Sequence, residues 1–197
     1  MWQPVASMSA LAMAALAEPG LSEPTQERLE QILGQVEWLA DLIQHSPHTA
    51  WPGTRCGYRT DLTRVVREAV AAERATWPGT VRILGGAGPV FAAAHAVPVR
   101  RAIANLLSNA TRAAGPSGVV FVEVRCDGQL AVVAIEDTGP GFGKIEPGFG
   151  LGLVTVSRCL AVYGGRLDRE RGAGGGVRVS MWLPRVTGDT PHDGQDD

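Results

Sequence analysis

The sequence predicts an α+β protein in which a helical hairpin precedes a domain of helices and short strands. Two stretches near the N-terminus, 1–17 and 26–44, carry apolar residues at helical spacing and are separated by the helix-breaking Glu18-Pro19-Gly20. Further along, β-branched runs alternate with helical stripes, and Asp127-Gly128 is a hairpin signal between two of the runs. A chain of 197 residues is long enough to bury a core around these elements.

Composition and charge argue against several classes of protein. Hydrophobic residues make up 45% of the chain and charged residues 19%, which are ordinary values for a globular protein. A formal net charge of −2 gives no electrostatic basis for binding nucleic acid or an anionic membrane. No apolar run approaches the roughly 18 residues of a membrane span, and no secretion signal follows Met1. Cys56, Cys126 and Cys159 lack metal-ligand spacing, which indicates reduced thiols in a cytoplasmic protein.

The N-terminal hairpin, residues 1–45, carries more apolar surface than it can bury alone. The stripe of its second helix is Leu29, Ile32, Leu33, Val36, Leu39, Ala40 and Ile43. Pairing with a second copy in a dimeric four-helix bundle is the favoured interpretation, and packing of the stripe on the rest of the chain is the alternative. Residues 46–57 are rich in turn formers and predict a linker, whereas the polar, acidic residues 187–197 predict a disordered tail.

Residues 58–186 predict one folded domain between the linker and the tail. Thr60-Asp61 caps a helix whose inward side chains are Leu62, Val65, Val66, Ala69 and Val70. Strands are predicted at 81–84, 90–93, 119–124, 130–135, 165–169 and 176–183. Two further helices are predicted over 99–110 and 151–163.

The helix predicted over 99–110 carries two asparagines beside an apolar face. That face is Val99, Ile103, Leu106, Leu107 and Ala110. Asn105 and Asn109 are four residues apart, so both amides project from one side of the helix. Asparagine is a poor helix former, which favours a function over a merely solvated face. Amide oxygens can coordinate Mg²⁺, a cation that usually arrives with nucleotide phosphates.

A carboxylate and two sets of glycines lie between residues 135 and 154. Asp137 closes a strand-like run and is followed by Gly139 and Gly141. The second set, which opens the helix over 151–163, is Gly148, Gly150 and Gly152. Glycine permits close approach of the backbone to a ligand, and a helix N-terminus favours phosphate. The pattern therefore indicates a nucleotide site, with ordinary turns as the alternative because the chain has 25 glycines.

Four motifs in this order resemble the conserved boxes of a known family. They are N-L-L-S-N-A at 105–110, D-T-G-P-G at 137–141, G-F-G-L-G-L at 148–153 and G-G-G-V-R-V-S-M-W-L-P at 174–184. They are similar to the N, G1, G2 and terminal glycine boxes of sensor histidine kinases, within the ATPase superfamily shared with gyrase and Hsp90. The resemblance implies an ATP-binding α/β sandwich with a mixed sheet and three helices, and ATP and Mg²⁺ as its ligands.

The resemblance also implies a role for each matching residue. Asp137 would accept a hydrogen bond from the adenine amino group, while Gly139 and Gly141 keep the backbone near the purine. Asn109 would hold Mg²⁺ and Asn105 would support the metal or the phosphates, which makes both the implied catalytic residues. The phosphates would be contacted by Arg112, Gly148, Gly150, Gly152 and Leu153. A solvent-facing role is the alternative for Arg112.

Asn105 indicates which kind of acceptor the reaction uses. The hydrolysing relatives and the anti-sigma serine kinases resemble one another in having Glu at this place, where a carboxylate can act as a general base. An amide cannot take that role, but a neutral imidazole is already nucleophilic and has little need of a base. The residue therefore favours histidine as the phosphoryl acceptor, and the resemblance implies a response regulator as the next partner.

The expected acceptor histidine is missing from the first helix. Residues 2–6 resemble the end of the family's H-E/D-x-x-x-P pattern, with Pro4 as its proline, which would place the histidine before Met1. His45 or His48 is a possible substitute, and a hinge histidine without a special role is the alternative. A pseudokinase or phosphotransfer scaffold that docks a receiver domain, and an anti-sigma-type serine kinase, are the alternative functions.

Three departures from the family pattern bear on nucleotide affinity. Only residues 142–147 separate the two glycine sets, so the lid over ATP is short. Val177 stands where the family often has Thr, and Ala113 stands where an aromatic residue is common. Because fewer side chains close over ATP, we expect weak affinity and fast release.

Overall fold

A computed structural model describes residues 3–16, 20–22, 24–25, 28–29, 32–33, 36, 57–86, 88–141 and 151–187. The chain forms two compact units, Met1–Thr49 and Ala50–Asp197. The predicted linker up to residue 56, the tail from residue 188, and both His45 and His48 lie outside the described residues. Within the described part, no helix is both long and apolar enough to cross a bilayer.

The first unit is helical in both stretches where the sequence predicts a helix. Helix α1 spans Gln3–Leu16. In the second stretch, predicted over 26–44, the described positions 28, 29, 32, 33 and 36 are all helical, as are positions 24 and 25 just before it. Ala12 and Val36 are buried, whereas several larger apolar side chains are exposed: Met8, Leu11, Met13 and Ile32. Among the described residues of this unit, these four apolar side chains are therefore exposed to solvent.

The second unit alternates strands and helices along the chain. Its strands are β1 Thr60–Asp61, β2 Thr80–Leu84, β3 Phe91–Ala92, β4 Val119–Asp127, β5 Leu130–Asp137, β6 Arg166–Arg171 and β7 Val177–Pro184. Its helices are α2 Leu62–Thr76, α3 Ala96–Ala114 and α4 Leu151–Val162.

Five of the strands form a mixed sheet in the order β2-β4-β5-β7-β6. Strands β2 and β4 are parallel, and all other neighbours are antiparallel. Strands β1 and β3 make a separate antiparallel pair. Helix α3 packs against β4, β5 and both other helices, so the three helices form one layer over the sheet. This α+β arrangement confirms the predicted mixed sheet and three-helix sandwich.

Local sequence signals explain where the helices begin and which face they bury. The Asp61 carboxylate accepts from the Thr63 N–H at 2.9 Å and the Arg64 N–H at 3.2 Å, so it caps α2 as predicted. The predicted inward face of α3 is buried in full: Val99, Ile103, Leu106, Leu107 and Ala110. Helix α3 is longer than predicted because it begins at Ala96, after His95 as N-cap, and continues to Ala114.

The hairpin between β4 and β5 turns one residue later than the dipeptide Asp127-Gly128 predicts. Asp127 pairs with Leu130, so the turn residues are Gly128 and Gln129. Gly128 has a φ of 57°, which a glycine adopts without strain, and Asp127 can therefore stay in the strand. The turn places Asp137 at the far end of β5, in the middle of the sheet.

Candidate nucleotide site

The Asp137 carboxylate is buried at the end of β5, with 4% of the residue exposed. Its Oδ1 accepts a hydrogen bond from the Gly139 N–H at 2.8 Å, and its Oδ2 accepts one from the Val177 N–H at 3.3 Å. Burial raises the pKa of Asp137 above its ordinary value, and the neighbouring Glu136 raises it further, while the two backbone donors pull it down. The carboxylate is thus held in one orientation by backbone from two segments.

Glycines crowd this carboxylate on both sides. A Cβ on Gly139 would lie 2.8 Å from Asp137 Oδ1 and closer still to the Ala113 carbonyl oxygen. A Cβ on Gly176 would collide with the backbone and side-chain oxygens of Asp137. At Gly141, where φ is 88°, a Cβ would lie 2.8 Å from the Gly175 carbonyl oxygen. No larger residue fits at these three positions without a shift of the backbone around Asp137.

Thr138 fixes the path of the chain as it leaves β5. Its hydroxyl accepts a hydrogen bond from the Val119 N–H at 2.9 Å, and its own N–H donates to the Val119 carbonyl oxygen at 3.1 Å. The next residue, Gly139, then approaches the Ala113 carbonyl near the end of α3. The loop after Asp137 is therefore anchored to both β4 and α3.

Three polar side chains follow one another along α3. The Asn109 amide donates to Asn105 Oδ1 at 3.2 Å, and the Arg112 guanidinium donates to Asn109 Oδ1 at 3.3 Å. Arg112 is exposed, and Asn105 and Asn109 are both half-buried. The structure therefore joins these three predicted site residues in one hydrogen-bonded row.

A cation in this site would rely on amide rather than carboxylate or imidazole ligands. Among the described residues, no group of three or more His, Cys, Asp and Glu side chains can hold a metal ion. The Asn105 and Asn109 amide oxygens are the protein ligands that the α3 row offers, and oxygen ligands suit Mg²⁺ when phosphates complete its shell.

Part of the second glycine set lies outside the described residues. This applies to Gly148 and Gly150, and to the short lid predicted over 142–147. Gly152 and Leu153 lie in the first turn of α4, which begins at Leu151, so a helix does start at this glycine set. Helix α4 packs against α3, which bears the asparagine row.

Sequence reasoning missed the contribution of the segment before β7. The Gly176 backbone and the Val177 N–H contact Asp137. In the sequence, position 177 stood out only because valine replaces the threonine that is common there, and not because of its backbone N–H. The run of three glycines that leads into the predicted strand and includes its first residue was the available signal, because glycine in a strand indicates close approach of another part of the backbone.

The chain matches a known protein family over the part that contains this site. Residues 94–187 match the family described as histidine kinase-, DNA gyrase B-, and HSP90-like ATPase. The matched segment begins just before α3 and ends after β7, so it includes the asparagine row and both segments that hold Asp137.

Several curated proteins are similar to the chain. It is 30% identical over 108 residues to the circadian input-output histidine kinase CikA of Synechococcus elongatus, which covers 45% of this chain and 14% of that protein. It is 31% identical over 101 residues to the alginate biosynthesis sensor protein KinB of Pseudomonas aeruginosa, covering 44% and 17%. It is 26% identical over 193 residues to the C4-dicarboxylate transport sensor protein DctB of Rhizobium meliloti, covering 88% and 31%. The matches thus span less than a third of these relatives.

Solved structures share the fold. The mycobacterial sensor histidine kinase MprB superposes with a TM-score of 0.53 at 25% identity, covering 65% of this chain and 97% of that one. The ATP-binding domain of PrrB from Mycobacterium tuberculosis gives 0.56 at 24% identity, covering 66% and 97%. The Acinetobacter baumannii histidine kinase AdeS gives 0.58 at 15% identity, covering 94% and 97%. At these identities, the last two show the fold alone.

Proposed function

We propose that this chain is the ATP-binding catalytic core of a two-component sensor histidine kinase, in keeping with the match of residues 94–187 to the histidine kinase-, DNA gyrase B-, and HSP90-like ATPase family. The observation that carries the proposal is the buried Asp137 carboxylate, whose oxygens each accept one backbone N–H. Relatives named as sensor proteins and sensor histidine kinases agree with it and do not favour the pseudokinase scaffold or the serine kinase.

Asp137 selects the base in this proposal. Each carboxylate oxygen can accept more than one hydrogen bond, so capacity remains after the two backbone donors are satisfied. The amino group of adenine is a donor that matches this acceptor, whereas guanine carries a carbonyl oxygen at the same position. Gly139 and Gly141 keep the neighbouring backbone free of side chains, so a purine can lie close to it.

The asparagine row of α3 serves the phosphate end of the nucleotide. Asn109 and Asn105 would hold Mg²⁺, which when bound neutralises phosphate charge and orients the transferred group. Arg112, hydrogen-bonded to Asn109, supplies a positive charge for a phosphate oxygen. Backbone N–H groups of Gly148, Gly150, Gly152 and Leu153 would complete the phosphate contacts, the last two from the first turn of α4.

The proposed reaction transfers the γ-phosphoryl group of ATP to a histidine nitrogen. The bond between the γ-phosphorus and the bridging oxygen breaks, ADP leaves, and a phosphorus–nitrogen bond forms as the imidazole loses its N–H proton to solvent. A neutral imidazole needs no base, so Asn105 contributes binding and orientation rather than proton transfer. The phosphoryl group then passes to an aspartate in the receiver domain of a response regulator.

The first unit provides the dimer in this proposal. Met8, Leu11, Met13 and Ile32 are between 39% and 70% exposed, so residues 1–45 keep an apolar surface that a second copy can cover.

We place the protein in the cytoplasm, where ATP and receiver domains are found. Neither nucleic acid nor a membrane surface is a proposed partner, because the formal net charge is only −2.

Calorimetry with Mg-ATP tests the nucleotide site. We expect the wild-type chain to bind in the micromolar to sub-millimolar range. Asp137→Asn replaces one acceptor oxygen by a donor and should weaken binding by at least about tenfold, the size expected for a lost hydrogen bond to a charged group. Asp127→Asn, at the exposed end of β4, is the matched control and should bind like wild type. No binding by the wild-type chain would overturn the proposal.

A further inference from the structure

Glu136 precedes the base-selecting carboxylate but lies on the opposite face of the sheet, because side chains alternate along β5. Its side chain is only 14% exposed. Its Oε1 accepts a hydrogen bond from the Ala173 N–H at 2.8 Å. A Cβ on Gly172 would lie 2.8 Å from the same oxygen, so the turn at 172–176 rests directly on this side chain.

The turn that Glu136 holds is the one that reaches Asp137. It is closed by hydrogen bonds from the Gly172 N–H to the Gly176 carbonyl at 2.9 Å and from the Gly175 N–H to the Gly172 carbonyl at 3.0 Å. Its last residue, Gly176, presses against Asp137, and the following Val177 N–H donates to Asp137 Oδ2. One short turn therefore links Glu136 to the orientation of the Asp137 carboxylate.

Arg178 keeps the Glu136 carboxylate in place for this contact. Its guanidinium bonds Glu136 Oε2 at 3.2 Å, Glu170 Oε1 at 3.6 Å, and Glu123 as its third partner. With Oε2 engaged by Arg178, the other oxygen of Glu136 points to Ala173. The three carboxylates differ in one respect, because Glu136 alone among them accepts a hydrogen bond from the turn at 172–176.

We propose that Glu136 is a positioning residue of the nucleotide site, which holds the turn at 172–176 so that the Val177 N–H aligns the Asp137 carboxylate with adenine. The inference rests on the proposed function, since it assumes that Asp137 reads the base. It follows that Glu136, which lies across the sheet from the nucleotide, contributes to the preference for ATP over GTP.

Three variants separate this role from a general effect on the sheet. Glu136→Ala removes the acceptor for Ala173. Glu136→Gln keeps an oxygen at that place and loses only the charge. Glu170→Ala removes another carboxylate from Arg178 without touching the turn, which makes it the matched control. Thermal unfolding of each variant checks that the domain is folded under the conditions of the binding assay.

Binding of ATP and GTP is measured together with hydrogen exchange of the Val177 amide in the nucleotide-free protein. We expect Glu136→Ala to weaken ATP binding by roughly fivefold to tenfold, the effect of losing a hydrogen bond that aligns a ligand contact, and to reduce the ATP-to-GTP ratio. Its Val177 amide should exchange faster. Glu136→Gln and Glu170→Ala should stay within about twofold of wild type in all three readouts.

The outcomes distinguish this inference from the proposed function. Absence of ATP binding in the wild-type chain would reject the proposed function, and with it the role in base selection. Wild-type binding together with unchanged affinity and unchanged Val177 exchange in Glu136→Ala would overturn the positioning role alone. Equal losses in Glu136→Ala and Glu170→Ala, or in Glu136→Gln, would also overturn it, because they would point to charge on Arg178 rather than to the turn.

Discussion

Asp137 is the one acidic side chain that the fold buries among the residues the structure describes. Burying a carboxylate disfavours its ionised form, and the two backbone N–H donors offset that cost only in part, since the pKa remains raised. A group kept in such a place is a candidate for function rather than for stability. A hydrogen-bond donor from a ligand would stabilise the ionised carboxylate further.

We therefore expect the pKa of Asp137 to respond to nucleotide. Without ligand it should lie above the range of an ordinary aspartate, because burial is the largest influence on it. An adenine amino group donating to the carboxylate favours the ionised form, so ATP should lower this pKa. By linkage, ATP affinity should then fall by up to about tenfold as the pH drops through the raised pKa.

Carbon-detected NMR titration of the Asp137 carboxyl, with and without Mg-ATP, measures this shift directly. The exposed Asp127 carboxyl provides an internal control, and its resonance should not respond to nucleotide. If the pKa of Asp137 were the same in both titrations, the carboxylate would not be the group that contacts the base.

At the scale of elements, the connection between β6 and β7 matters as much to Asp137 as the loop that follows β5. Two of the four glycines in this connection, Gly174 and Gly176, face different surroundings. A Cβ on Gly176 would strike Asp137, whereas one on Gly174 would meet only the Thr138 methyl group at 4.0 Å. The crowding at Gly176 and the room at Gly174 give a matched pair of substitutions.

We expect Gly176→Ala to displace the β7 entry from Asp137 and Gly174→Ala to leave it in place. The first should cost about 1–3 kcal/mol of unfolding free energy, as overpacking usually does, and should weaken ATP binding more than tenfold. The second should change neither by more than about 0.5 kcal/mol, the usual range for surface substitutions. Chemical denaturation and calorimetry measure the two quantities, and equal behaviour of the variants would contradict the packing argument.

The elements that the sequence predicts well are those set by local patterns. The buried face of α3 follows from apolar spacing, and the Asp61 cap follows from the residue type just before a helix. The Asn105–Asn109 pair is also local, because it depends only on the pitch of one helix.

What the sequence does not predict depends on the order of strands in the sheet. The hydrogen bond from Val177 to Asp137 spans 40 positions and exists because β7 lies between β5 and β6. Val132 and Ala134 alternate with the helix-facing residues of β5 and so lie on the other face of the sheet, and yet both are buried. Val132 is flanked in register by Arg125 and Trp182, and the Arg125 guanidinium lies over the Trp182 ring. Long side chains from neighbouring strands cover that face, and a single strand's pattern carries no trace of them.

At the scale of the whole molecule, the two units have different proposed roles, which are dimerisation for the first and nucleotide binding for the second. The second unit has a buried apolar core and an Asp137 carboxylate held by backbone donors. The first unit leaves large apolar side chains in water, with Leu11 70% exposed and Met13 54% exposed. Monomeric proteins rarely expose a cluster of such residues, so the first unit is where association between two copies is expected.

The prediction is therefore a dimer that depends on the first unit and not on the ATP site. Leu11→Glu together with Met13→Glu should convert the dimer to a monomer, because a charge buried in an apolar interface without a partner is strongly unfavourable. ATP affinity should stay within about twofold of wild type, since the base contacts belong to the second unit. Leu84→Glu, at a leucine 44% exposed in the second unit, is the control and should remain dimeric. Sedimentation equilibrium measures the mass. A wild-type monomer, or a dimer broken by Leu84→Glu alone, would place the interface elsewhere.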